Sequence, residues 1–198
     1  MRTFETDNYN DKYPLYNPDL WNNDPAVRWS HNCYAYAADH IDANVGSLCR
    51  KKMTKSIIKV NPCKQLFPQP GRAAGITKKT LGGKWNCNSA EKGILADNPK
   101  IFKINADSDE PSSVNYRCPA GMYKIAMATK PDGSDYHFWR EDSSGESKTW
   151  SHKAGARRAT NRDYSLRIIK NPETSNRGDY NNFCGFYCVP IGEKNISY

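Results

Sequence analysis

No apolar run in the 198-residue sequence approaches the ~20 residues that cross a bilayer, so a spanning helix is not expected. The opening MRTFETDN has no hydrophobic region, so a cleaved secretory signal is not the expected route of any export. No two cysteines are spaced CxxC, and their irregular separations argue against zinc. Internal repeats and low-complexity tracts are absent. No nucleic-acid motif accompanies the basic residues, so nucleic acid is not an expected partner. Nothing in the pattern calls for a cofactor or a metal.

Net charge is +8, and the basic residues concentrate at 49–64 and around Lys78, Lys79 and Lys84. Such runs usually form a solvated face. Aromatic residues make up 12% of the chain, enough for a packed core despite its polarity. The length fits one domain, 1–198. Seven cysteines are an odd number: six can pair and leave Cys33 free. Cys49–Cys63, Cys87–Cys118 and Cys184–Cys188 are plausible bridges, though spacing does not fix connectivity. The last of these needs a bulge at Gly185, because i and i+4 lie too far apart in an extended strand.

In chain order, 1–28 is an aromatic, proline-bearing arm expected to run extended over the body. Within 29–46, Asn32 is suited to cap a helix over 32–43 that buries Tyr34, Ala37, Ala38 and Ile41, with a stop at Asn44 and Gly46. His31 and His40 flank it and are expected to face solvent. Residues 47–121 read as a basic, loop-rich insertion with short strands at 56–60 and 100–104. From 122 the period changes to two. Tyr123, Ile125 and Met127 mark a half-buried strand, and 136–142 and 147–153 complete an antiparallel meander that leads into a sheet over 122–198. Asn195-Ile-Ser197 matches a glycosylation sequon.

Three residues carry the candidate chemistry. Cys33 falls at the first turn of a helix, where dipole and unpaired N–H groups favour thiolate. His137 and His152 lie on facing strands. A two-residue turn at 144–145 sets 143 opposite 146 and 137 opposite 152, with Cβ atoms ~5 Å apart on one face.

Cysteine at a helix start, then histidine opening a strand, then a polar residue on the next strand resembles the papain-like superfamily, most closely its NlpC/P60 branch. The segments NCYAYAADH (32–40) and YHFWREDSSGESKTWSHKAG (136–155) carry the likeness. With QPG (69–71) between them, the same blocks also resemble proteins of bacteria and large DNA viruses. The resemblance implies an α+β, papain-like fold: a nucleophile helix packed on an antiparallel meander. It further implies a thiol hydrolase cleaving a peptide or cell-wall amide. Cys33 would be the nucleophile, His137 its base and His152 the orienting group, with Asp142 and Asp163 as reserves. The Cys33 N–H and a donor such as Asn32 would form the oxyanion site. The viral likeness implies the alternative: a minor structural protein of a virion that keeps the fold as scaffold, with neighbouring capsid subunits as its partners.

Overall fold

Alternating apolar residues at 122–129 and 136–142 build the centre of the molecule. A computed structural model describes residues 13–54, 61–104, 114–142, 149–192 and 194–198. The start of the arm (1–12), the strand expected at 56–60 and the turn at 143–148 lie outside the described residues. The fold is α+β. Six antiparallel strands are ordered β1-β6-β2-β3-β4-β5: β1 Phe102–Lys103, β2 Met122–Thr129, β3 Tyr136–Asp142, β4 Thr149–Lys153, β5 Ala159–Thr160 and β6 Asn182–Pro190.

Side-chain alternation sorts these strands into two cores. Tyr123, Ile125 and Met127 of β2, Tyr136 and Phe138 of β3, and Tyr187 and Val189 of β6 pack together on one face. Ala126, Ala128, Trp139, Trp150, Phe186 and Cys188 pack on the other. The strand expected to be half-buried is therefore covered on both sides. Even Lys124 is buried, its Nζ donating to the Val114 carbonyl at 2.6 Å and lying 3.4 Å from Glu141.

The first face is covered by two helices: α3 Cys33–Ala37 through Cys33, Tyr34 and Ala37, and α5 Cys87–Asp97 through Ala90 and Ile94. Asn32 does cap α3, its Oδ1 accepting from the N–H groups of Tyr34 and Ala35. The helix is five residues long, however, and does not run to 43. The backbone turns left-handed at Asp39 (φ 50°), whose carboxylate meets Arg140 on β3 at 2.5 Å. Ile41 is left 38% exposed. A second cap, Asp42, then starts α4 (Ala43–Met53), so much of the expected basic loop is helical. Arg50, Lys51 and Lys52 sit in its last turn, where the dipole favours cations. The arm is partly helical too, with α1 Asp19–Asn22 and α2 Pro25–Ser30. So is the insertion, where Asn86 and Ser89 form a reciprocal capping box at the start of α5.

Three disulfides brace this frame. Cys49–Cys63 ties α4 to the following segment as expected, but the other two pairs are Cys87–Cys184 and Cys118–Cys188. The physical reason is the bulge itself. Register against β2 shifts between Met127 and Ala128, opposite Gly185 (φ 120°) and Phe183. The extra residue turns Cys184 into the first core while Cys188 faces the second. The two cysteines point apart and bridge to different elements.

Helix α5 meets the 68–71 segment backbone to backbone at Gly93. A Cβ placed there falls 2.6 Å from the Pro70 carbonyl carbon. Overpacking of this kind costs ~1–3 kcal/mol, so Gly93→Ala should lower the unfolding free energy, read from urea melts, by that amount. Gly46 in α4 has room for a methyl group, whose nearest neighbour would be Val27 Cγ2 at 3.9 Å. Gly46→Ala should therefore hold or raise stability by up to ~1 kcal/mol.

Candidate functional site

Cys33 is the free cysteine among the described residues, and it is buried. Its Sγ faces the Tyr136 carbonyl at 3.9 Å, in the strand that carries His137 and one residue before it. Burial pushes the thiol up to about 12; the Asp135 carboxylate adds to this, and the Phe138 N–H and Lys153 only partly offset it. No hydrogen bond joins the sulfur to either imidazole. The expected oxyanion donor is engaged as well: the Asn32 amide donates to the Pro68 carbonyl (2.9 Å) and the Tyr136 hydroxyl (3.4 Å).

His137 and His152 do meet. His137 Nε2 and His152 Nδ1 are 2.7 Å apart with ring planes at 89°. The register differs from the expected one: His152 pairs with Trp139, because the ladder starts from Asp142 opposite Thr149. The shift is two residues, which preserves the face, so the rings touch diagonally. Hydrogen placement follows from the far end of the pair. His152 Nε2 lies 3.0 Å from the Arg162 carbonyl, which can only accept, so Nε2 carries the proton and Nδ1 accepts from His137. His137 then keeps its lone pair on Nδ1. Its ring stacks on Tyr180 (4.9 Å) and stands edge-on to Trp139 (4.5 Å), placing it with the second core, whereas Cys33 packs with the first. Burial drives both imidazoles below their usual range, and the neighbouring His152 lowers His137 further.

Neither reserve carboxylate hydrogen-bonds His137 or His152, although the charge of Asp163 favours the protonated form of His152. Asp142 is bonded to Arg140 (2.7 Å) and to Ser151, and Asp163 accepts N–H groups from Ser165, Arg167 and Asn176 around its own turn. His31 is buried rather than solvent-facing, and His40 is half-buried. The Asp42 N–H donates to His31 Nε2 (3.0 Å), while Nδ1 bonds Ser30 Oγ (2.8 Å), so the neutral ring is required. Burial brings His31 down to about 4. Tyr180 and the Arg162 carbonyl, which fix the histidine pair, lie far along the chain and leave no local signal in the sequence. Lys153 leaves none either. Burial pushes its ammonium down to about 7, yet its three protons go to the carbonyls of Arg28, His31 and Gly155 at 2.5–2.6 Å. Among the described residues no cluster of three or more His, Cys, Asp or Glu could hold a metal, and no helix is long and apolar enough to cross a membrane.

Two measurements check this site. With the thiol near 12, iodoacetamide at pH 7.5 should alkylate native Cys33 at least ~100-fold more slowly than a free cysteine of pKa ~8.5. Stability should also fall as pH drops. The folded state keeps His31, His137 and His152 neutral while the unfolded chain takes up protons below ~6.5, so each contributes a loss of up to ~1.4 kcal/mol per pH unit. For His31 that loss ends near its folded value of about 4, and urea midpoints between pH 7 and 4 read the slope.

No protein-family profile matches the chain, and no solved structure matches it. Insoluble matrix shell protein 1 of Ruditapes philippinarum is 30% identical over 176 residues, a span covering 88% of this chain and 88% of that protein. An alignment of that extent takes in the Cys33 helix, the histidine hairpin and most of what lies between. On that likeness, the chain belongs to the family of insoluble matrix shell protein 1.

Proposed function

We propose that the protein is a structural component of an insoluble protein assembly, and that its arrangement of α3, β3 and β4 is papain-like and serves as scaffold. The relationship to a protein named for an insoluble shell matrix, over nearly the whole of both chains, carries this reading. The physical features agree with it. Three disulfides staple a fold buried on both faces of its sheet, and burial holds the free thiol toward its neutral form. Neighbouring subunits of the assembly, whether of a shell matrix or of a virus particle, are the partners.

A second reading, a thiol hydrolase acting on a peptide or cell-wall amide through Cys33, His137 and His152, is favoured by one observation. The proton order in the histidine pair leaves His137 Nδ1 unprotonated and its Nε2 held by His152, the polarity a base needs. Against it stand the raised thiol and the lack of a hydrogen bond between the sulfur and either imidazole.

Detergent extraction of the native source, followed by immunodetection, separates the two. The scaffold reading expects the chain in the insoluble residue, with Cys33→Ala assembling as the unchanged protein does. Recovery of the chain wholly in the soluble extract, together with an amidase activity that Cys33→Ala abolishes, would replace it with the hydrolase.

A further inference from the structure

His152 forms one wall of a cavity of about 250 Å³ on the second face of the sheet. Arg157, Arg158 and Arg162 line it, with Tyr164 and Leu166 at the rim. Three exposed arginines from a six-residue stretch therefore line one small space. No carboxylate pairs with Arg157 or Arg158 among the described residues, and no hydrogen bond from either guanidinium is formed there. Arg162 is held in place by its Nη1 donating to the Leu166 carbonyl at 2.9 Å.

One acid also lines the cavity, Asp163, but its carboxylate is taken up by the turn it caps. Oδ1 accepts from the N–H groups of Ser165 (2.8 Å) and Arg167 (3.0 Å), and Oδ2 from that of Asn176 (3.1 Å). That turn is tightly made: Leu166 is left-handed (φ 63°) and 74% exposed, held by its N–H to the Asp163 carbonyl. The cavity thus sets three fixed positive charges against one engaged negative charge.

We propose that this cavity is an oxyanion-binding site that takes a phosphate or sulfate group. Guanidinium forks present paired N–H donors to such groups and keep their charge at any pH the protein meets. A tetrahedral oxyanion spreads three or four acceptor oxygens around its centre and so can serve several forks from different directions, whereas a carboxylate has two oxygens in one plane to share among them. The proposal rests on the cavity alone and stands whether the protein is scaffold or hydrolase.

The test titrates the full-length, disulfide-intact chain with inorganic phosphate, inorganic sulfate, O-phosphoserine or acetate at constant ionic strength, following the four histidine imidazoles by NMR. The site predicts a saturable shift of the His152 signals with phosphate, sulfate or phosphoserine, larger than any shift at His40, which does not line the cavity. Arg157→Gln/Arg158→Gln should weaken binding by roughly tenfold or more without lowering the melting temperature, since neither guanidinium holds an internal partner. Lys51→Gln/Lys52→Gln on α4 should leave it unchanged. Tighter binding of phosphoserine than of phosphate identifies a phosphorylated chain as the source; the reverse identifies the free ion. A linear drift without saturation overturns the proposal, as does equal binding by the arginine variant, an equal loss in the lysine variant, or acetate binding as tightly as phosphate. Each of those results would mean that anions follow the overall charge of +8 and not this cavity.

Discussion

A buried guanidinium fixes the relation of helix to sheet. Arg140 is fully buried in the middle of β3, and each of its five N–H groups has a place to go. Nε donates to Asp142 (2.7 Å), Nη1 to Asp39 (2.5 Å) and the Tyr36 carbonyl (3.2 Å), and Nη2 to the Leu15 carbonyl (3.2 Å) and the Tyr36 hydroxyl (3.4 Å). The Tyr36 ring lies 4.4 Å from the guanidinium carbon. A charge this deep is tolerable only when every donor is met, and losing one partner of such a set typically costs ~3–5 kcal/mol. The partners come from the arm, from α3 and the turn that ends it, and from the strand itself. That requirement accounts for the left-handed Asp39 and for the early end of α3: a helix continuing to 43 would carry the Asp39 carboxylate away from Arg140. This contact ties α3 to β3 and so to the strand that carries His137.

The parts of the fold legible in the sequence are those where one local rule dominates. Period-two alternation marks β2, β3 and β4, and Asn32 marks a helix start at Cys33. What local pattern does not supply is the far partner. Lys124 reads as a solvent-facing residue in an alternating strand, yet it is buried because Val114 and Glu141 wait for its ammonium. His31 reads as a polar flank, yet it sits in a small cluster with Trp21 and with Tyr198, the last residue of the sequence. The disulfides show the same limit more sharply. The bulge at Gly185 is readable from the glycine between two cysteines, but its consequence is not. The bulge turns Cys184 to the face opposite Cys188, so the feature invoked to permit a local bridge forbids it.

The histidine pair shows where an error can be harmless. Hairpin register depends on a turn whose length the sequence does not state, and the ladder is displaced by two residues from the simplest choice. An odd displacement would put His152 on the opposite face from His137, with no contact possible. An even one moves it along the same face, within reach of a long side chain. Parity, more than register, is the information that matters. It survives because an odd slip of β4 would exchange the faces of Trp150 and Ser151, taking Trp150 out of the second core and Ser151 Oγ away from Tyr36 and Asp142.

Cys33 is the opposite case, a local rule outweighed by a global one. Asn32 takes up the N–H groups of Tyr34 and Ala35 at the helix start, and the dipole there favours thiolate by ~0.3–1 kcal/mol, at most ~2. Helix α3 has only five residues, which puts it at the weak end of that range. Desolvation acts the other way: holding the thiol up to about 12, against 9.0 for the unperturbed group, amounts to ~4 kcal/mol in favour of the neutral form. The larger effect wins. A nearby imidazolium could reverse the balance, but His137 is itself buried, driven toward its neutral form, and already committed to His152. Two groups that each resist charge do not exchange a proton readily, since an ion pair would require both to ionise in a space that penalises both. The same burial that closes both faces of the sheet therefore favours the uncharged states of the free thiol and the histidine pair.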